Sequence, residues 1–173
     1  MHLMVDLETL GTDPRAVILS IGAVRFTETE IVSKLYLELD IQDQLDHGTR
    51  KISPQTLAWW VDQGDDAKRV FSDGPHKHSL AVGLYDLGLF IGSDQDTVNV
   101  WSNGAAFDVP ILETAYNDVQ GGIPWRFYNV RCYRTVKAMY PGVPKPQIGT
   151  AHNALDDALS QALHLQAIWQ QVR

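Results

Sequence analysis

The sequence predicts an α/β fold built on a mixed sheet, and three observations predict it. Strand-like runs open the chain, the links between them are short enough for an antiparallel meander, and helical and strand-like segments then alternate to the end. A length of 173 residues suits one domain, residues 1–173, with a sizeable core and no room for an added partner-binding domain.

Residues 2–6, 17–26 and 31–39 read as the first three strands. In the third, Leu35, Leu37 and Leu39 alternate with Tyr36 and Glu38. Ser53 and Pro54 mark a helix start, serine as N-cap and proline at the first helical position, with Leu57, Trp60 and Val61 on one face. Residues 63–78 contain Gly and Pro and predict a loop with a short helix. Leu80, Leu84, Leu87 and Phe90 have the spacing of a core-packed helix over 79–91. Residues 97–101 predict a fourth strand, and 107–119 a helix with Ile111, Leu112 and Ala115 apolar. A short fifth strand is expected over 125–128 and a helix over 132–139, stopped by Pro141. Residues 143–147 are irregular, because proline removes donors and fixes the backbone. A long helix over 152–172 closes the chain.

Composition narrows the function. Hydrophobic residues make up 45% and charged residues 20%, the balance of a globular protein. No stretch approaches the ~20 apolar residues of a membrane span, so no membrane partner is expected. The first residues lack the basic flank and long apolar core of a signal peptide. The single cysteine, Cys132, leaves no internal disulfide and suits a reducing cytoplasm, the expected location. A net charge of −7 speaks against broad coating of duplex nucleic acid. It does not speak against an enzyme gripping one strand end, since cations bound in an acidic site reverse the local field.

The chemistry collects at three stations. Asp6 and Glu8 stand one residue apart at the end of the first strand, so both side chains leave one face and repel unless a cation lies between them. Asn103-Gly104-Ala105-Ala106-Phe107-Asp108 follows the fourth strand and leads into a helix. Ala151-His152-Asn153-Ala154-Leu155-Asp156-Asp157 opens the last helix. Singly, these are a solvated strand end, a carboxylate favoured by a helix dipole and a capping histidine. Together, Asp6, Glu8, Asp108 and Asp157 form a hard-oxygen set of the kind Mg²⁺ or Mn²⁺ prefers, where zinc calls for Cys and several His. Two such ions are suited to in-line phosphodiester cleavage, and a histidine takes a water's proton near neutral pH.

This set and its order resemble the DEDD superfamily of 3′→5′ exonucleases, the group of the polymerase proofreading subunit, and His152 marks the histidine subclass, DEDDh. The likeness covers nearly the whole chain through Val5-Asp6-Leu7-Glu8-Thr9, Asn103 to Asp108, and His152 to Asp157. It is strongest toward phage and prophage members, the T-even-phage-type and exonuclease-VIII-like proteins. The residues that carry this are Asp6-Leu7-Glu8-Thr9-Leu10-Gly11, Ile18-Leu19-Ser20-Ile21-Gly22-Ala23 and Thr56-Leu57-Ala58-Trp59-Trp60.

The resemblance implies an RNase-H-like fold, a mixed five-stranded sheet flanked by helices. It implies two divalent ions, Mg²⁺ or Mn²⁺, with Asp6 between them, Glu8 and Asp157 on the water-activating ion and Asp108 on the other. It makes His152 the general base and leaves Asp156 on a different helix face. Thr9 and Leu10 are expected to contact the terminal nucleotide through backbone and wedge contacts, with Asn103 and Phe107 in the same pocket. Cys132 stands where relatives are expected to carry an aspartate.

Trp59 either stacks on an unpaired base or packs under the 63–78 loop or at a subunit contact. His76-Lys77-His78 reads as a solvated loop rather than a metal site, and Lys145 as a solvated lysine. The expected reaction releases nucleoside 5′-monophosphates from the 3′ end of a single strand, DNA ahead of RNA. The alternatives are an exoribonuclease and a catalytically inactive nucleic-acid-binding module. A homodimer stays open.

Overall fold

The computed structural model describes residues 1–72 and 77–172. Strand β1 (His2–Thr9) is central: it pairs antiparallel with β2 (Ile18–Phe26), which pairs antiparallel with β3 (Ile31–Glu38). Three short helices follow, α1 (Ile41–Asp46), α2 (Pro54–Val61) and α3 (Asp65–Lys68), then the longer α4 (Leu80–Ile91). Strand β4 (Asn99–Ser102) returns parallel to β1 on its free side. After α5 (Asp108–Asp118), β5 (Val130–Cys132) lies parallel to β4. Helix α6 (Tyr133–Met139) and the closing α7 (Ala154–Gln171) complete the chain. The sheet order is β3-β2-β1-β4-β5. This is the mixed five-stranded sheet, flanked by helices, of the RNase-H-like fold. Among the described residues no helix is long and apolar enough to cross a membrane.

Alternation along β1 builds both faces. Leu3, Val5 and Leu7 enter one core cluster with Leu84 and Leu87 of α4 and Ile111 and Leu112 of α5. Met4 enters the other, with Tyr133 of α6 and Ala158, Ala162 and Leu165 of α7. Asp6 and Glu8 have the parity of Met4, so they leave the sheet on the α7 side. A third cluster joins Leu10, Val17 and Leu19 to Trp60 of α2 beyond the strand ends.

Four elements differ from the sequence reading. The fifth strand is Val130–Cys132, not 125–128. Trp125 is instead buried against Tyr116, and Phe127–Asn129 form a 3₁₀ turn. A short apolar run does not say which of its residues will pair. In α2 only Trp60 is buried, at 3% exposure, while Leu57 and Val61 are 40% and 73% exposed. The helix is turned so that Trp60 both fills the third cluster and donates its indole N–H to the Thr9 carbonyl at 2.9 Å. Helix α1 is absent from the sequence reading; it is set by the Asp40 cap, by buried Gln44 and by Ile41 and Leu45, one turn apart, packing on the third cluster. The Gln44 amide accepts from Ile18 N–H and donates to Ile18 O. The closing helix begins at Ala154, because Asn153 caps it and His152 lies outside it. His76 lies outside the described residues; its neighbour Lys77 donates to the Val70 carbonyl.

Candidate active site

Two spacings match where α7 crosses β1. Asp6 and Glu8 are two strand residues apart, about 6.8 Å, and Asp157 and Gln161 are one helical turn apart, about 6 Å. Gln161 accordingly donates to Asp6 Oδ1 at 2.7 Å. Asp157 meets Glu8: one ligand atom each of Glu8, Asp157 and His152 lie within 4.8 Å of one another. The approach depends on Gly22, which pairs with Asp6 across the β1–β2 ladder. A Cβ at Gly22 would stand 2.1 Å from the Ala154 backbone, so α7 rests its first turn on bare sheet there. A register shift between Glu8 and Thr9 adds a bulge beside the site.

Asp108 arrives from the other side. The β1–β4 ladder ends at the Met4–Trp101 pair, so β1 runs on alone along that edge. Its free Leu7 N–H donates to Asp108 Oδ1 at 3.2 Å, which holds the carboxylate at the start of α5, where the helix dipole favours it.

His152 adopts a left-handed backbone, φ 62°, in the turn before α7. Its N–H donates to Asp157 Oδ2 at 2.9 Å. Its ring meets the Trp59 indole edge-to-face, centroids 5.0 Å apart. Asp156 faces elsewhere, accepting from Thr150 N–H at 2.8 Å.

The carboxyls are electrostatically crowded. Burial, then Asp108, Glu8 and Asp157, hold Asp6 well above the usual carboxylate range, against the Gln161 hydrogen bond. Burial and then Asp157 and Asp108 push Glu8 up to about 8. Burial pushes Asp108 up to about 7, opposed by Leu7 N–H and by the positive Arg134. Four acids in this setting ionise together only around a counter-cation, and their hard oxygens fit a divalent metal ion.

Beside Glu8 lies a cleft of about 610 Å³ walled by Thr9, Gln55, Trp59, Trp60 and Phe107. Trp59 lines this cleft and is 43% exposed. Leu10 departs from expectation: at 2% exposure its side chain belongs to the third core cluster and is unavailable as a wedge. Its neighbours Thr9 and Gly11 line the cleft instead. Asn103 lines a second, separate cleft. Lys145 is not a solvated lysine; its Nζ lies 3.7 Å from Asp157 Oδ1. Gln161 escaped the sequence reading, although its place one turn after Asp157 puts it on the same helix face.

Known proteins share this fold. Residues 1–169 match the family model described as 3′-5′ exoribonuclease Rv2179c-like domain. The exodeoxyribonuclease of Enterobacteria phage T4 is 25% identical over 157 residues, covering 76% of this chain and 68% of that protein. The nuclease domain of 3′hExo, a DEDDh family member, bound to rAMP, superposes with TM-score 0.63 at 15% identity, covering 98% of this chain and 92% of that one. Exonuclease X in complex with 5′ overhanging duplex DNA superposes with TM-score 0.59 at 19% identity, covering 99% and 92%. The chain therefore belongs to the 3′-5′ exoribonuclease Rv2179c-like family.

Proposed function

We propose that this exonuclease trims single-stranded 3′ ends, DNA in preference to RNA, releasing nucleoside 5′-monophosphates. One observation carries the reading: Asp6, Glu8, Asp108, Asp157 and His152 converge at one end of β1, beside a cleft with aromatic walls. Asp6, Glu8, Asp108 and Asp157 would hold two divalent ions, Mg²⁺ or Mn²⁺, with Asp6 shared. When bound, such a pair supplies a water of lowered pKa and stabilises the leaving oxygen.

The protein's own groups do the rest. His152 takes the proton of the attacking water, and its left-handed turn, the Asp157 contact and the Trp59 edge keep its ring aimed. The new bond joins water oxygen to phosphorus; the bond to the 3′ oxygen of the preceding nucleotide breaks. Thr9, Trp59 and Phe107 hold the terminal nucleotide, and base stacking on an indole, worth ~1–3 kcal/mol, tolerates any sequence.

The preference for DNA rests on the likeness to the phage exodeoxyribonuclease. The family model's description supports RNA as the second reading. Matched 5′-labelled single-stranded DNA, single-stranded RNA and 3′-overhang duplexes, each with Mg²⁺ and with Mn²⁺, test the proposal. The single DNA strand should shorten fastest, and a blocked 3′ end should protect it. Faster loss of RNA makes the second reading the correct one. Protection by a 5′ block alone reverses the polarity.

A further inference from the structure

Two clefts adjoin the carboxylates, and their chemistry is opposite. Among the described residues, the one walled by Trp59 and Phe107 contains no cation. The second, about 680 Å³, is lined by Asn103, Arg134, Lys137, Tyr140 and Lys145 and, among the described residues, contains no carboxylate. The two share no lining residue. In a chain with 21 acidic against 14 basic residues, three cations and no acid in one cleft are a local reversal of sign.

Of the three, Lys145 meets Asp157, and several cations outside the cleft are likewise paired. Arg25, Arg50, Lys68, Arg69 and Arg126 are held in ion pairs with aspartates elsewhere. Arg134 and Lys137 carry neither an ion pair nor a side-chain hydrogen bond among the described residues. They sit three apart on α6, neighbours on one helical face.

The cationic cleft begins at the catalytic carboxylates. Lys145 reaches Asp157, and Arg134 lies over Gly104, where a Cβ would stand 3.6 Å from its Nη2. Asn103 and Phe107 come from the same β4–α5 connection but face different clefts. One connection thus separates an aromatic site without cations, suited to a base, from a cationic one, suited to phosphates.

We propose that the Arg134–Lys137–Lys145 cleft is the subsite for the retained strand, binding phosphates 5′ of the bond that is cut. The inference rests on the exonuclease reading above. With it, the strand stays gripped by its backbone while the freed mononucleotide leaves the aromatic cleft.

The test compares the native protein with the double variant Arg134→Gln/Lys137→Gln on two substrates, in the metal that supports activity. One is a single-stranded oligonucleotide; the other is the p-nitrophenyl ester of thymidine 5′-monophosphate, which offers a terminal nucleotide and no retained strand. The variant should raise KM for the strand on the order of tenfold more than for the ester. The slope of log KM against log salt should fall by about 1.4 for two lost contacts to a single strand. The charge-keeping Arg134→Lys/Lys137→Arg variant should restore both. An unaltered strand KM and slope, or equal losses on the two substrates, would overturn the subsite while leaving the exonuclease reading intact. A native protein inactive on both substrates would overturn that reading and the subsite with it.

Discussion

Stripping divalent cations from this protein should make its stability fall as pH rises, opposite to the usual behaviour of a carboxylate held in an ion pair. Glu8 shows why. Its carboxyl ionises near 4.5 when unfolded and near 8 in the metal-free fold, mainly because it is buried and faces Asp157 and Asp108. Between those values the folded state holds a proton that the unfolded state has lost. Below about pH 4.5 both states are protonated and nothing is lost.

The loss builds across the interval between those two values and is complete once Glu8 ionises in the fold, near pH 8. At ~1.36 kcal/mol per pH unit this costs on the order of 5 kcal/mol. Asp108, ionising near 7, acts in the same direction, but the acids raise one another and their effects do not simply add. Against a whole-domain stability of ~5–15 kcal/mol the loss is large. Urea unfolding in EDTA from pH 5 to 8 should show a midpoint that falls steadily, and saturating Mg²⁺ or Mn²⁺ should remove most of the fall. A metal-free midpoint that is flat, or that falls equally with metal, would refute the reasoning.

Three further outcomes follow from individual contacts. His152→Ala should lower kcat by roughly 10²–10⁴-fold, the span of a lost general base, with metal affinity by calorimetry nearly unchanged; a lost metal site would make His152 a ligand instead. Gly22→Ala drives a Cβ into the Ala154 backbone, so it should cost more than about 2 kcal/mol in urea unfolding and lower activity together, by shifting Asp157 and His152. If activity survives with the stability loss, the seating of α7 does not position the site. Gln161→Leu removes a hydrogen bond that favours ionised Asp6, so the rising limb of the pH–rate profile should move to higher pH; an unmoved limb would count against that contact.

Much of this was readable in the chain. The alternation that sends Leu3, Val5 and Leu7 to one core and Met4 to the other also places Asp6 and Glu8 on the α7 face. That much follows from parity alone. The Ser53 cap and the Ser79–Ile91 periodicity found α2 and α4, because both signals are local. What depended on tertiary geometry did not show. Helix α1 is seated by the Asp40 cap, the buried Gln44 amide and the packing of Ile41 and Leu45, β5 by its pairing with β4, and the roll of α2 by the burial of Trp60.

At the site, residue types and their order pointed to Asp6, Glu8, Asp108, Asp157 and His152, which the fold gathers at one end of β1. The supports around them were harder to see. Gly22 is one glycine among 13 until Ala154 lies on it, and Lys145 looked solvated until the loop carrying it reached Asp157. Leu10 was misread for the same reason: a strand-end leucine beside a cleft turns inward when a core cluster offers it more contact.

The central claim is that the buried acids hold the metal ions that drive hydrolysis from the 3′ end, and Asp6→Asn tests it most directly. The substitution keeps size and the Gln161 neighbour while removing the charge that both ions would share. A 5′-labelled single strand incubated with Mg²⁺ or Mn²⁺ should give a ladder shortened from the 3′ end with the native protein. Asp6→Asn, with an unchanged circular dichroism spectrum, should leave the strand intact. A ladder from Asp6→Asn at the native rate would contradict the account.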